Sequence, residues 1–221
     1  MTIALDHVFV CTEIGAPEGD ALLAAGFAEG PPNVHPGQGT ACRRFFFHNA
    51  YLELLWVHDA AEARSATTAP TRLWERWQGR DDGRTCPLGV CVRAGPGASV
   101  PFPTWPYRPS YLPPGGAIPV ATSSDALGEP MLFALPFVRR PDAAPTGEAP
   151  PLAHAAGVRE VTRATLAGPW PSPSAPLAAV EEAGIVTLDA AERFTLTLEL
   201  DGAPGGRVLD LRPALPLVLR W

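Results

Sequence analysis

One pattern constrains this chain more than any other: a strand, a short helix and three more strands occur near its start and again near its end. Residues 3–11, IALDHVFVC, are rich in β-branched and aromatic side chains and stop at a Gly-Pro-containing turn, which predicts a strand. PEGDALLAAGF follows, with Pro17 suited to a first helical turn and Gly26 to a C-terminal cap. A return at GFAEG follows the helix, NVHPGQGT reads as a loop, and ACRRFFFHN and YLELLWVH as strands joined by a tight turn at Asn49-Ala50. Further on, GVREVTRATLAG reads as a strand, SAPLAAVEEAG as a helix closed by Gly184, and IVTLD, RFTLTLELDG and RVLDLRPALPLVLRW as three strands. A repeated β-α-β-β-β unit makes the chain α+β and weighs more than any single motif. The overlay of the two units sets His7 on Glu160 and Glu53 on Asp210.

Between the units, PTRLWERWQG (70–79) predicts a short helix, and CPLGVCVRA and PMLFALPFV predict strands. The intervening GPGASVPFPTWPYRPSYLPPGG is too rich in Pro and Gly for regular structure, and RRPDAAPTGEAPP has the composition of a linker. The expected organisation is therefore a first module at 1–60, a linker helix with inserted strands and a Pro-rich loop at 61–150, and a second module at 151–221.

Charge and composition exclude several classes of function. The net charge is −6, and all 17 basic residues are scattered arginines, so no basic stripe follows a phosphate backbone and nucleic acid is not an expected partner. The absence of lysine excludes Schiff-base chemistry by the chain itself. Cys11, Cys42, Cys86 and Cys91 form no C-x-x-C pair and are expected to be reduced and mostly buried. No run reaches the roughly 18 apolar residues of a membrane span and no secretory pattern opens the chain, so the expected location is the cytoplasm.

Alternation along the first strand puts Ile3, Leu5, His7, Phe9 and Cys11 on one face, and along YLELLWV it groups Tyr51, Glu53, Leu55 and Val57. Each strand thus carries one ionisable group near its middle. A buried carboxylate without a partner costs several kcal/mol, so Glu53 must be paired with His7, protonated, bound to a metal or open to a wet cavity. Imidazole and carboxylate together suit Fe, Mn, Ni or Zn.

LDHVFV, GAPEGDALLAAGF, HPGQGT and YLELLWV, in that order, resemble the opening module of glyoxalase-like proteins of the vicinal oxygen chelate superfamily, which includes glyoxalases, extradiol dioxygenases and bleomycin-resistance proteins. The resemblance is clearest over residues 3–58 and weaker over 152–221. It implies paired β-α-β-β-β modules curling into a mixed-sheet half-barrel around a metal or ligand, closed within one chain or between two, hence a monomer or a homodimer. It implies His7 and Glu53 as metal ligands and, through the overlay, Glu160 and Asp210 in the second module, with His154 as an alternative donor. The expected function is that of a small-molecule lyase, isomerase or dioxygenase with a divalent metal and no organic cofactor. The competing reading is a metal-free binding or resistance protein with the same fold. Glu53 and His35 are the candidate acid-base groups. Of Arg43 and Arg44, one faces the inner side and is a candidate for an anionic substrate group. Trp105 and Tyr107, with Tyr111, are candidates for an aromatic lid over the substrate.

Overall fold

The computed structural model describes residues 3–95, 98–145 and 147–221. In chain order the elements are β1 (Ile3–Cys11), α1 (Gly19–Ala24), β2 (Asn33–His35), β3 (Thr40–Phe46), β4 (Tyr51–Val57), α2 (Ala60–Ala63), α3 (Leu73–Gln78), β5 (Leu88–Ala94), β6 (Thr104–Tyr107), β7 (Ile118–Ala121) and β8 (Met131–Ala134). Then follow β9 (Val161–Gly168), α4 (Ala175–Glu182), β10 (Thr187–Ala190), β11 (Thr195–Leu200), β12 (Val208–Asp210) and β13 (Leu217–Arg220). Among the described residues, no helix is long and apolar enough to cross a membrane.

The fold is α+β, and its main sheet is a curved, mixed half-barrel of eight strands in the order β2-β3-β4-β1-β5-β8-β7-β6. That order reads the same from either edge inward: β1 pairs parallel with β4, β5 pairs parallel with β8, and β1 and β5 meet antiparallel at the centre. Both halves come from one chain. The strands that mirror β1–β4 are those of residues 88–134, inside the segment expected to be an insert. The strands of 151–221 instead form a separate five-stranded sheet, β10-β9-β11-β13-β12. The Pro-rich segment contributes β6, whose alternate residues Thr104 and Pro106 face solvent, as an edge strand permits. Pro213 and Pro216 flank the turn that breaks the expected final strand into the antiparallel pair β12 and β13.

The second sheet lies behind the half-barrel. Val8, Val10, Leu52, Leu54, Leu88, Val90 and Leu132 on the convex side share one core with Leu166, Leu196, Leu198, Leu217 and Leu219 of the second sheet. The concave side holds a separate cluster of Phe9, Cys11, Leu55, Leu73, Tyr107, Ile118, Val120 and Met131. The two faces of the central half-barrel strands β1, β4, β5 and β8 are therefore both largely buried, one by the second sheet and one by the residues that roof the concavity. Side-chain bonds fix the docking: Asn49 bonds Val161 through both its amide atoms, and Trp170 Nε1 donates to the Gly128 carbonyl.

Alternation along β1 departs from expectation at one residue. Leu5 stands opposite Val92 and His7 opposite Cys91, so Asp6 is an extra residue, a β-bulge. Ile3 and Leu5 consequently pack toward the convex core, while His7, Phe9 and Cys11 face the concavity. The bulge also turns the Asp6 side chain to His7.

Candidate functional site

The concavity encloses a cavity of about 320 Å³, within the range of small-molecule sites. His7 and Glu53 line its floor and are 3% and 6% exposed. β1 and β4 run parallel with Phe9 opposite Glu53 and His7 opposite Tyr51, which brings the two ionisable side chains together from neighbouring strands. His7 Nδ1 lies 2.8 Å from Asp6 Oδ2, and Asp6 Oδ1 accepts from Arg93 at 2.9 Å. The carboxylate accepts at Nδ1 and so assigns that ring hydrogen, leaving Nε2 directed at Glu53 Oε2 across 3.4 Å. The ring is clamped between Tyr51, stacked at 4.3 Å, and the edge of Phe133 at 5.3 Å.

A nitrogen lone pair facing a carboxylate oxygen is repulsive unless an electrophile stands between them. The 3.4 Å gap is longer than the usual 2.7–2.9 Å of a charge-assisted N–H···O bond. A proton or a cation can fill this role. An imidazole whose other nitrogen is held by a carboxylate is also the usual arrangement of a metal-ligating histidine.

His35 lines the same cavity. Its Nε2 contacts Asn33 Nδ2 at 2.8 Å and its Nδ1 contacts Thr40 Oγ1 at 2.9 Å, so both ring nitrogens are engaged. Burial lowers its pKa and favours the neutral ring. His35, Cys42 and Glu53 offer ligand atoms within 4.8 Å of one another, and Asp6, His7 and Cys91 form a second such group. Burial, reinforced by Glu53, pushes the Cys42 thiol up; burial, reinforced by Asp6 and Glu53, does the same to Cys91. Both are therefore thiols, weak ligands until a metal displaces the proton. All four cysteines are free and buried.

The structure does not bring Glu160 and Asp210 to this floor. Glu160 pairs with Arg140 at 3.1 Å on the surface, and Asp210, on β12 of the second sheet, is held by Arg212. The overlay had assigned them to a second half-barrel module, whereas the strands equivalent to β1 and β4 are β5 and β8. On the cavity side β8 brings Met131 and Phe133, an apolar half-floor. His154 is likewise structural: its Nδ1 accepts from Ala28 N–H and its Nε2 donates to the Phe46 carbonyl, both at 2.8 Å.

Neither expected arginine lines the cavity. Arg43 faces the convex side and binds Glu29, Asp20 and the Ala16 carbonyl. Arg44 sits opposite Glu53 in the register, but its guanidinium reaches out over the Phe46 ring to the Pro31 carbonyl. Tyr107 does line the cavity, as do Tyr111 and Leu112, whereas Trp105 faces a surface groove beside Arg72 and Asp125. The roof is tied to the β2–β3 turn: Tyr111 Oη donates to Gln38 Oε1, Ser110 donates to the Pro36 carbonyl, and Tyr107 Oη meets Thr68 Oγ1, which lies within hydrogen-bond reach of the Gly37 carbonyl. Asp6, Arg93 and Gln38 are site residues that strand alternation alone does not single out; the bulge that recruits Asp6 leaves no mark in the letters.

Comparison with known proteins agrees with this geometry. A family model described as a glyoxalase-like domain matches residues 5–95. No curated protein matches the chain. A crystal structure of a hypothetical protein from Staphylococcus aureus superposes with a TM-score of 0.54 at 8% identity, covering 100% of this chain and 99% of that one, a likeness of fold alone. The half-barrel, the buried His7–Glu53 pair on its first module and the match over that module identify residues 5–95 as a glyoxalase-like domain of the vicinal oxygen chelate superfamily.

Proposed function

We propose that the cavity is the active site of a small-molecule enzyme in which His7 and Glu53 hold a divalent cation. The observation that carries this reading is the 3.4 Å gap between His7 Nε2 and Glu53 Oε2 at the cavity floor, with Nδ1 anchored by Asp6. Imidazole and carboxylate are ligand types that suit Fe, Mn, Ni or Zn, and His7 and Glu53 would hold such a cation at the cavity floor. Such a cation supplies a Lewis acid that stabilises negative charge developing on a substrate oxygen, as an enolate or an oxyanion. Lyase, isomerase and dioxygenase chemistry all draw on that stabilisation.

The chain's own residues supply the rest. Asp6 keeps the ring hydrogen of His7 on Nδ1, so that Nε2 presents its lone pair to the cavity. Glu53 is the group placed to take a proton from a substrate carbon or oxygen. His35 shapes the wall beside it through Asn33 and Thr40, and serves as an acid or base once one of those partners lets go. Tyr107, Tyr111 and Leu112 cover the substrate and exclude water.

A second reading has its own observation. Arg93, Asp6, His7 and Glu53 form a continuous chain that is charge-neutral when His7 carries two protons, and the other half of the floor is apolar. In that case the cavity sequesters a hydrophobic ligand without metal. Elemental analysis by plasma mass spectrometry, on untagged wild type and on the His7→Ala, Glu53→Gln double variant, separates the two. The enzyme reading predicts about one equivalent of a transition metal, lost in the variant. No metal after reconstitution with Mn, Fe, Ni and Zn leaves the binding reading.

A further inference from the structure

We infer that the ligand of this cavity is an uncharged, largely hydrophobic molecule that carries its polar atoms at one end only. The inference rests on the reading of the cavity as a ligand site and concerns the part of the ligand away from His7 and Glu53. Among the described residues no arginine lines the cavity, and the chain has no lysine at all. The two arginines nearest in the register are committed elsewhere, Arg43 to Glu29 and Asp20, Arg44 to Pro31. Among the described residues Glu53 is the one acid in the lining. A carboxylate, phosphate or sulfonate on the body of a ligand would find no cation and would lose its hydration, a cost of several kcal/mol.

Apart from the Tyr107 and Tyr111 hydroxyls, which are engaged by Thr68 and Gln38, the polar side-chain atoms of the lining are confined to one side. His7, Tyr51 and Glu53 from the first module, with Asn33, His35 and Gln38 from the β2–β3 hairpin, face a wall drawn from β7, β8 and the residues after them, including Val120, Met131, Phe133 and Leu135. That wall offers no hydrogen-bond partner except the weakly accepting Met131 sulfur. A sugar or peptide with polar groups all round would leave them unpaired there.

The mouth carries the same preference. Val34 and Phe137, two of the few large hydrophobic residues that are strongly exposed, at 54% and 55%, both line this cavity. They lie apart in sequence, Val34 on β2 and Phe137 in the turn after β8. The enclosed volume of about 320 Å³ holds roughly ten to fifteen non-hydrogen atoms, given about 30 Å³ for a liquid water. A longer apolar body would extend between these two rim residues.

Three matched probes test the inference: 4-butylphenol, 4-(4-hydroxyphenyl)butanoate and 4-(4-hydroxyphenyl)butylammonium, which share a head and a chain and differ in the charge at the far end. Titration calorimetry on the full chain, as purified and after chelation, is expected to give at least tenfold tighter binding for 4-butylphenol than for either charged probe. Equal or tighter binding of the butanoate or the ammonium, or no binding of 4-butylphenol, overturns the inference. A preference for 4-butylphenol that survives chelation upholds it whatever the metal content, so the fate of the metal reading is read separately from elemental analysis.

Discussion

The bulge at Asp6 is the single-residue feature on which the site depends. It places two consecutive side chains of one strand on the same side, and so lets a carboxylate hold the imidazole that faces Glu53. Asp6→Asn keeps the shape, weakens the acceptor and loses the charge that pairs with Arg93. By the usual weight of such outer partners, it is expected to lower affinity for a divalent cation about 10- to 100-fold. A competition titration against a metal-binding dye measures this, with circular dichroism as the control for folding. His7 and Glu53 were legible in the sequence because alternation exposes an ionisable group in an apolar strand. Asp6 was not, since a bulge depends on the partner strand, and Glu160 and Asp210 were misplaced because a repeat in pattern does not say which strands pair. Arg43 and Arg44 fail for a related reason: the letters show a charge but not the nearer acid or carbonyl that claims it.

Among the elements, α3 shows how an insert becomes part of the half-barrel. Arg76 on this helix is fully buried and donates to the carbonyls of Cys86, Ser124, Ala126 and Glu129, so it joins the helix to the start of β5 and to the turn before β8. Burial lowers its pKa, and among the described residues no carboxylate pairs with the guanidinium, so the carbonyl dipoles carry the stabilisation. Arg76→Ala would leave these acceptors dry and unpaired around a void. The expected cost is about 3 kcal/mol, measured by urea denaturation, with β8 and the apolar wall loosened before the first module. Within the first sixty residues β1, α1, β3 and β4 were readable from turn residues and short apolar runs, whereas β2 (Asn33–His35) fell at the start of NVHPGQGT, whose Gly and Pro read as a loop. Nor were β6 and β7 readable, because β6 sits in Pro-rich sequence at a sheet edge where proline is tolerated, and β7 is only four residues long.

For the whole molecule, the second sheet is a backing that covers the convex face, and histidine chemistry enters its docking. His154 is held between Ala28 N–H and the Phe46 carbonyl as a neutral ring, and burial keeps its pKa below the ordinary 6.5. The unfolded chain therefore binds a proton at a pH where the folded one does not. Stability is full above 6.5 and falls as the pH drops from that value toward the folded pKa, and His35, lowered for the same reason, adds to the effect. His154→Gln should flatten this slope in denaturation curves taken between pH 7.5 and pH 5. The α+β class and the first module were open to reading from sequence; the back sheet's role was not, because its strands follow the same local rules as those of the half-barrel and only the contact between faces tells them apart. The central claim, that His7 and Glu53 form a cation site at the floor of the half-barrel, is tested most directly by anomalous diffraction from crystals grown with Mn²⁺. The account predicts one strong peak within bonding distance of both His7 Nε2 and Glu53 Oε2; a fully reconstituted crystal with no peak between them would contradict it.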